Sequence, residues 1–322
     1  MGGFIKGIVC RIESKDYYIF NLDNFDLIRC SLKGKFKKEF NLKKDKLYKI
    51  DIAVVGDFVN YKLNDDGSGV IDEIKKRKNY LSRKAPKIKG AGYRGERLEQ
   101  IVASNIDNLF IISSALEPAF NNKVIDRFLV AGESSHIPIT IIINKIDLDR
   151  DNLTDSWVKL YKKIGYETIK TSIITGDGIE TVKNLLFNKK SLFWGQSGVG
   201  KSSIFNKIFP ELDLTVGKIS TYTDKGTHTT VTTNMVKIAE NTFIIDTPGI
   251  REIDPYGIKK EDLGHYFLDF TDYIYGCRFN TCTHYHEPGC AVIEAVKNNY
   301  ISDYRYESYL RILETIEEDI IF

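Results

Sequence analysis

Gly195-Gln196-Ser197-Gly198-Val199-Gly200-Lys201-Ser202, continued by Ser203, stands between a strand-like SLFW and a helix-like SSIFNKIF. Glycines at this spacing let successive backbone N–H groups close around a phosphate, and the start of the following helix adds positive potential. The pattern demands a strand that ends at the loop and a helix that begins there, which is the repeating unit of a doubly wound sheet. In that setting Lys201 reaches the β and γ phosphates of a nucleoside triphosphate and Ser202 ligates magnesium.

The surrounding sequence has the texture such a sheet needs. NLFIISSAL and ITIIIN are apolar, β-branched runs of strands buried on both faces, and KVIDRFLVAGESS between them has helical spacing. The alternation continues through SWVKLYKKIGY, ETIKTSI, GIETVKNLLFN, KSLFWG and SSIFNKIF to VTTNMVKIAE and NTFIIDTPG. Strand, crossover and strand at this spacing give a largely parallel sheet. Asn144-Lys145-Ile146-Asp147 stands at the carboxyl end of ITIII, where ligands of such sheets sit. A carboxylate at Asp147 accepts two hydrogen bonds from the guanine edge, a donor pair adenine lacks. Thr171-Ser172 opens the loop after the next strand and resembles the second guanine-contacting element of GTPases, which implies a base contact at Ser172. Asp246-Thr247-Pro248-Gly249 ends the strand TFIID, which places Asp246 to hold magnesium through water and the Gly249 N–H near the γ phosphate.

In most GTPases the phosphate loop comes first, then a switch threonine, DxxG and NKxD. Here NKID and Thr171-Ser172 precede the phosphate loop, and Thr229-Thr230 and DTPG follow it. The order predicts a circularly permuted GTPase domain, which sheet wiring tolerates because chain termini lie close together. It also predicts that the γ-phosphate sensor runs directly into the C-terminal region, so that loss of the γ phosphate reorients it.

The flanks differ in composition. From Phe4 to about Ile74, short β-type runs broken by turn signals predict a closed barrel of about five strands: FIKGIVCRI, YYIFNL, LIRCSL, IDIAVVGDFVNYKL and GVIDEI. Between two of them KGKFKKEFNLKKDKLYK interleaves eight lysines with Phe36, Phe40 and Tyr48, a pattern that suits a phosphate backbone and stacked bases. A solvated lysine surface is the competing reading. Residues 76–97 are basic, glycine-containing and poor in apolar side chains, and are expected to be a linker between the barrel at 1–75 and the GTPase domain at 98–252. The remaining residues, 253–322, carry three of the five cysteines between Cys277 and Cys290, with His284 and His286 beside them, and end in a helix-like ISDYRYESYLRILETIEEDI. Three thiolates and one imidazole within fourteen residues close a tetrahedral metal site; either histidine satisfies that count. Cys10 and Cys30 are expected in the core. With 42% hydrophobic and 28% charged residues, and no apolar run long enough to span a bilayer, a soluble cytoplasmic protein is expected, with no membrane partner and monomer as the default state.

YLSRK, QIVASNIDNLFIISS, FNNKVIDRFL, NKIDL, GQSGVGKSS, GTHTT, DTPGIRE and CRFNTCTHYHEPGCAV together resemble the ribosome small subunit-dependent GTPase A family, also called RsgA or YjeQ, across essentially the whole chain. The resemblance implies an N-terminal oligonucleotide-binding barrel, a permuted GTPase domain and a C-terminal helical zinc domain. It implies one zinc ion held by Cys277, Cys282, His284 and Cys290, the cofactors GTP/GDP and Mg2+, and a partner in the small (30S) ribosomal subunit and its rRNA, late in assembly. A permuted GTPase with another RNA or protein target is the alternative.

Hydrolysis by in-line water attack needs that water positioned. Ile250 follows DTPG where many GTPases carry glutamine, so slow turnover in isolation is expected. His228, beside the switch threonines Thr229 and Thr230, is the candidate that orients the water once a partner orders the loop; a surface histidine with no catalytic part is the competing reading.

Overall fold

The computed structural model describes residues 3–36, 52–84, 99–210, 233–247 and 257–316. Five strands form the N-terminal unit: β1 (Ile5–Glu13), β2 (Asp16–Asn21), β3 (Leu27–Leu32), β4 (Phe58–Leu63) and β5 (Gly69–Ile74). They pair in the order β1-β2-β3-β5-β4, and β4 returns to β1 to close the barrel. Only β3 and β5 run parallel. Val9, Ile19, Cys30, Val59, Tyr61 and Ile71 fill the interior, as alternation along each strand dictates. Cys10 and Cys30 are both buried, and burial pushes each thiol up to about 12.

The expected fourth strand is shorter than the apolar run IDIAVVGDFVNYKL. Gly56 at φ +95° ends the run, and a Cβ there would stand 2.0 Å from the Ser104 carbonyl oxygen. The turn around Gly56 is a joint instead. Buried Asp57 accepts from Arg77 Nε (2.7 Å) and Nη2 (2.8 Å), from Ser104 Oγ (2.6 Å) and from Val54 N–H (2.9 Å), tying the barrel to the next unit. The segment read from composition as linker is also partly structured. Its residues Tyr80–Lys84 form β6, paired antiparallel with β7 (Glu99–Ser104). Composition missed it because its basic side chains hid a strand whose Leu81 is fully buried.

The central sheet runs β10-β9-β8-β11-β13-β12. The strands β8 (Asn108–Ser114), β9 (Ile139–Asn144), β10 (Glu167–Lys170), β11 (Lys190–Gly195) and β13 (Thr242–Asp246) are parallel, and β12 (Asn234–Ala239) is antiparallel to β13. One face packs on α1 (Asn122–Ser134) and α2 (Thr154–Ile164), the other on α3 (Ile179–Leu186) and α4 (Lys201–Ile208). Coverage of both faces explains why β8 is buried at every position. Asn121 caps α1 by accepting from the Lys123 N–H, and Gly165 at φ +119° ends α2. Strand β1 pairs with β12 through Arg11 and Asn234, so barrel and sheet are continuous.

The C-terminal unit is helical. After 3-10 turns at Lys260–Tyr266 and Leu268–Phe270 come α5 (Thr271–Ile274), α6 (Ala291–Lys297) and α7 (Asp303–Thr315). Its core of Leu263, Phe267, Phe270, Val292, Tyr309 and Ile312 also takes in Val130 of α1. Across the seam between α1 and α7, Arg305 is bonded to Asp126 and Asp269, Lys123 to Glu307, and Asn122 to Ser308.

Candidate functional site

The carboxyl ends of β9, β11 and β13 and the loop after β10 converge on one site. Strand β11 ends at Gly195 and α4 begins at Lys201, so residues 195–200 form the turn the sequence requires. Its glycines are there for space: a Cβ on Gly195 would lie 2.3 Å from the Ile112 carbonyl oxygen, and one on Gly200, at φ +95°, 2.3 Å from Asn144 Nδ2. Lys201 Nζ donates back to the carbonyls of Gly195 (2.7 Å) and Gln196 (2.9 Å), which holds its charge over the loop. Burial lowers the Lys201 pKa, and the Asp246 charge opposes that shift. Burial likewise lifts the Asp246 carboxyl to about 6 against the pull of Lys201. Asp246 Oδ2 and Thr247 Oγ1 are buried without a hydrogen-bond partner among the described residues. A buried carboxylate oxygen of that kind, next to a phosphate loop, is the chemistry a magnesium ion and its waters satisfy.

The Asn144–Asp147 segment is tied to the phosphate loop by the Asn144 side chain. Asn144 is buried; its Nδ2 donates to the Val199 carbonyl (2.9 Å) and its Oδ1 accepts from Thr171 Oγ1 (3.0 Å). Lys145 takes the left-handed conformation at φ +60°, which turns the chain into the short 3-10 helix Ile146–Leu148. Ser172 Oγ donates to Asp147 Oδ1 and accepts from the N–H groups of Ile174 (3.1 Å) and Thr175 (3.2 Å), so the carboxylate is aimed by a hydroxyl that is itself anchored. Thus Asn144, Lys145, Ile146, Asp147, Ser172, the loop from Gly195 to Ser203 and Asp246 come to one end of the sheet. His228, Thr229, Thr230 and Gly249 lie outside the described residues, as do the lysine-rich loop beyond residue 36 and the basic stretch at 85–98.

A second cluster lies in the C-terminal unit. Cys277, Cys282, His284 and Cys290 bring three Sγ atoms and one imidazole nitrogen within 4.8 Å of one another. Cys277 Sγ is 3.8 Å from Cys290 Sγ, and His284 Nδ1 is 3.5 and 3.4 Å from those two sulfurs. Zinc bonds of about 2.3 Å to sulfur and 2.0–2.1 Å to nitrogen give a tetrahedron with edges of about 3.8 and 3.6 Å. The donor set and its spacing therefore fit zinc. Of the two histidines left open by their spacing, it is His284 that lies buried in the cluster, while His286 is exposed.

The loop carrying them is held from outside by groups the motif did not announce. Glu287 accepts hydrogen bonds from Thr283, Tyr285 and His286, while Tyr306 and Tyr309 on α7 donate to the carbonyls of His284 (2.8 Å) and Thr283 (2.6 Å). Burial opposes ionisation of Glu287, but the hydrogen bonds from Thr283 win and hold its carboxyl at about 2. Gly264 leaves room for the imidazole, since a Cβ there would come within 2.8 Å of His284 Nε2. The aromatic spacing of α7 was the one available sequence signal for these supports.

A sequence model of the RsgA GTPase family matches residues 74–256. The chain is 37% identical over 317 residues to the small ribosomal subunit biogenesis GTPase RsgA of Bacteroides fragilis (strain YCH46), covering 98% of each. The chain belongs to the RsgA GTPase family. The RsgA of Bacillus pumilus (strain SAFR-032) is 38% identical over 320 residues, with 97% of this chain and 98% of the relative covered. Among solved structures, YjeQ from Thermotoga maritima superposes with a TM-score of 0.76 at 33% identity over 97% of this chain and 98% of its own. YloQ, described as a circularly permuted GTPase, gives 0.70 at 26% identity over 97% and 94%. This RsgA family member thus shares with them its whole length and its permuted element order.

Proposed function

We propose that this GTPase acts in late maturation of the small (30S) ribosomal subunit and that the subunit stimulates its GTP hydrolysis. The observation that carries the reading is the convergence of NKID, Ser172, the phosphate loop and Asp246 at one sheet end, in a chain whose full-length relatives are named for small-subunit biogenesis. Asp147 reads guanine, with Asn144 fixing the base loop to the phosphate loop. The loop N–H groups and Lys201 bind the β and γ phosphates and offset the charge of the transition state. Ser202 and Asp246 hold magnesium, which supplies further charge compensation. Thr229, Thr230, His228 and the Gly249 N–H complete the γ-phosphate side, His228 orienting water once a partner orders its loop. Zinc at Cys277, Cys282, His284 and Cys290 is structural, because four protein ligands leave no open position. The barrel is the rRNA-binding unit, and the protein works in the cytoplasm.

The test is GTP hydrolysis with and without small ribosomal subunits, with large subunits and free RNA as controls. Strong stimulation by small subunits alone is expected; equal rates in every mixture would overturn the assignment of partner.

A further inference from the structure

The turn at residues 115–120, between β8 and α1, carries none of the nucleotide-binding motifs, yet it touches both halves of the nucleotide site. The Ala115 N–H donates to the Asn144 carbonyl at 2.8 Å, and the Lys145 ammonium donates to the Glu117 carbonyl. On the other side, Pro118 Cδ stands 3.7 Å from the place of a Cβ on Gly198 in the phosphate loop. Ser114 Oγ closes the turn by donating to the Pro118 carbonyl at 2.6 Å. With phosphates on the loop and the base at Asp147, the sugar spans the gap between Gly198 and Lys145. The turn runs along that gap.

Lys145 has a second reason to need it. A lysine side chain has many rotamers, and one that must lie flat on a base loses them on binding unless something holds it beforehand. The left-handed backbone at Lys145 sets where its stem departs, and the Glu117 carbonyl fixes where its ammonium ends. The turn is itself braced from behind. The Phe120 ring lies 5.0 Å from Trp157, whose own ring lies 5.1 Å from Tyr304 on α7.

We propose that the 115–120 turn is the sugar-side wall of the nucleotide site, in which the Glu117 carbonyl positions Lys145 for guanine and Phe120 holds the turn in place. This rests on the reading of residues 195–203 and Asp147 as a GTP site. Glu117 and Phe120 are positioning residues: they act through Lys145.

The experiment is calorimetric titration of full-length protein with GDP and with ADP, for the natural protein, Phe120→Ala and Phe120→Leu. Phe120→Ala is expected to lose about tenfold in GDP affinity, within the range of ordinary coupling between sites. Its weak ADP binding stays unchanged, because adenine does not seat against Asp147, and Phe120→Leu restores most of the loss. GDP affinity within about twofold of the natural protein, or an equal loss for both nucleotides, overturns the proposal. Failure of the natural protein to bind GDP would instead remove the reading beneath it. Should Phe120→Ala not fold, Trp194→Phe leaves Trp157 as the remaining tryptophan of two. A change in its emission on GDP saturation supports the proposal, and unchanged emission overturns it.

Discussion

Replacing Arg305 with methionine tests what joins the nucleotide domain to the C-terminal unit. Arg305 is 1% exposed; its Nη1 reaches Asp126 Oδ1 at 2.5 Å and its Nη2 and Nε reach Asp269 at 2.8 and 3.2 Å. Methionine keeps much of the packing against Phe267, over whose ring the guanidinium sits at 4.5 Å, but it removes the cation that bonds both carboxylates. Breaking a buried pair by removing one partner costs about 3–5 kcal/mol, because the other charge stays buried without compensation. At about 1.4 kcal/mol per factor of ten, the seam opens roughly a hundred- to several-thousand-fold more often. The pH dependence has a definite sign. Burial raises the Asp126 carboxyl, and Arg305 opposes the rise; without Arg305 only the hydrogen bonds from Ser308 and Tyr161 still oppose it, so the carboxyl rises further. A carboxyl whose folded pKa exceeds its unfolded value of about 3.9 stabilises the fold fully below that value, and the contribution is lost as pH climbs through the folded pKa. The deficit is therefore largest at neutral pH and shrinks on acidification, and adding Asp126→Asn recovers part of it at neutral pH. Urea denaturation followed by tryptophan emission measures this, since Trp157 touches Tyr304 on α7. A deficit below about 1 kcal/mol, or one that grows on acidification, would refute the reasoning.

Asp147→Asn is expected to weaken GTP and favour xanthosine triphosphate in competition binding, because the carboxylate that pairs with the guanine edge is gone; unaltered GTP affinity removes the base-site assignment. Elemental analysis is expected to find one zinc per chain, and Cys282→Ser to lose it and expose α7 to proteolysis; full metal content in the variant contradicts the four-ligand site. Gly56→Ala is expected to cost at least about 2 kcal/mol in thermal unfolding, from its left-handed backbone and the approach of the Ser104 carbonyl. An unchanged melting temperature would show that the joint yields.

The segments of the nucleotide site were legible because they begin where strands end, and strand ends are marked by an abrupt change from apolar run to glycine, asparagine or aspartate. Asn144, Gly195 and Asp246 are of this kind. The joints were not legible. Gly56 lies inside an apolar run, and Tyr80–Lys84 lies inside a basic one, so in both places composition argued against the local structure. What decided them was tertiary: the Asp57 network and the pairing of β6 with β7. The 115–120 turn escaped for another reason. Its contacts with Lys145 and Gly198 join positions far apart in the chain, and no local pattern encodes them.

Permutation gives these joints their importance. In the moved order β12 and β13 form a hairpin that begins at Asn234 and ends at Asp246. Barrel strand β1 pairs with β12, and Phe20 and Phe25 of the barrel pack on Phe243 of β13 at 6.1 Å each. Lys237 of β12 sits 3.6 Å over the Phe25 ring. The hairpin is thus held by the barrel on one side, while the residues after Asp246 lead on to the C-terminal unit. A force on the barrel acts directly on these two strands, the second of which ends at Asp246. The α1–α7 seam reaches the site through the 115–120 turn instead, so the two flanking units act on it by separate contacts.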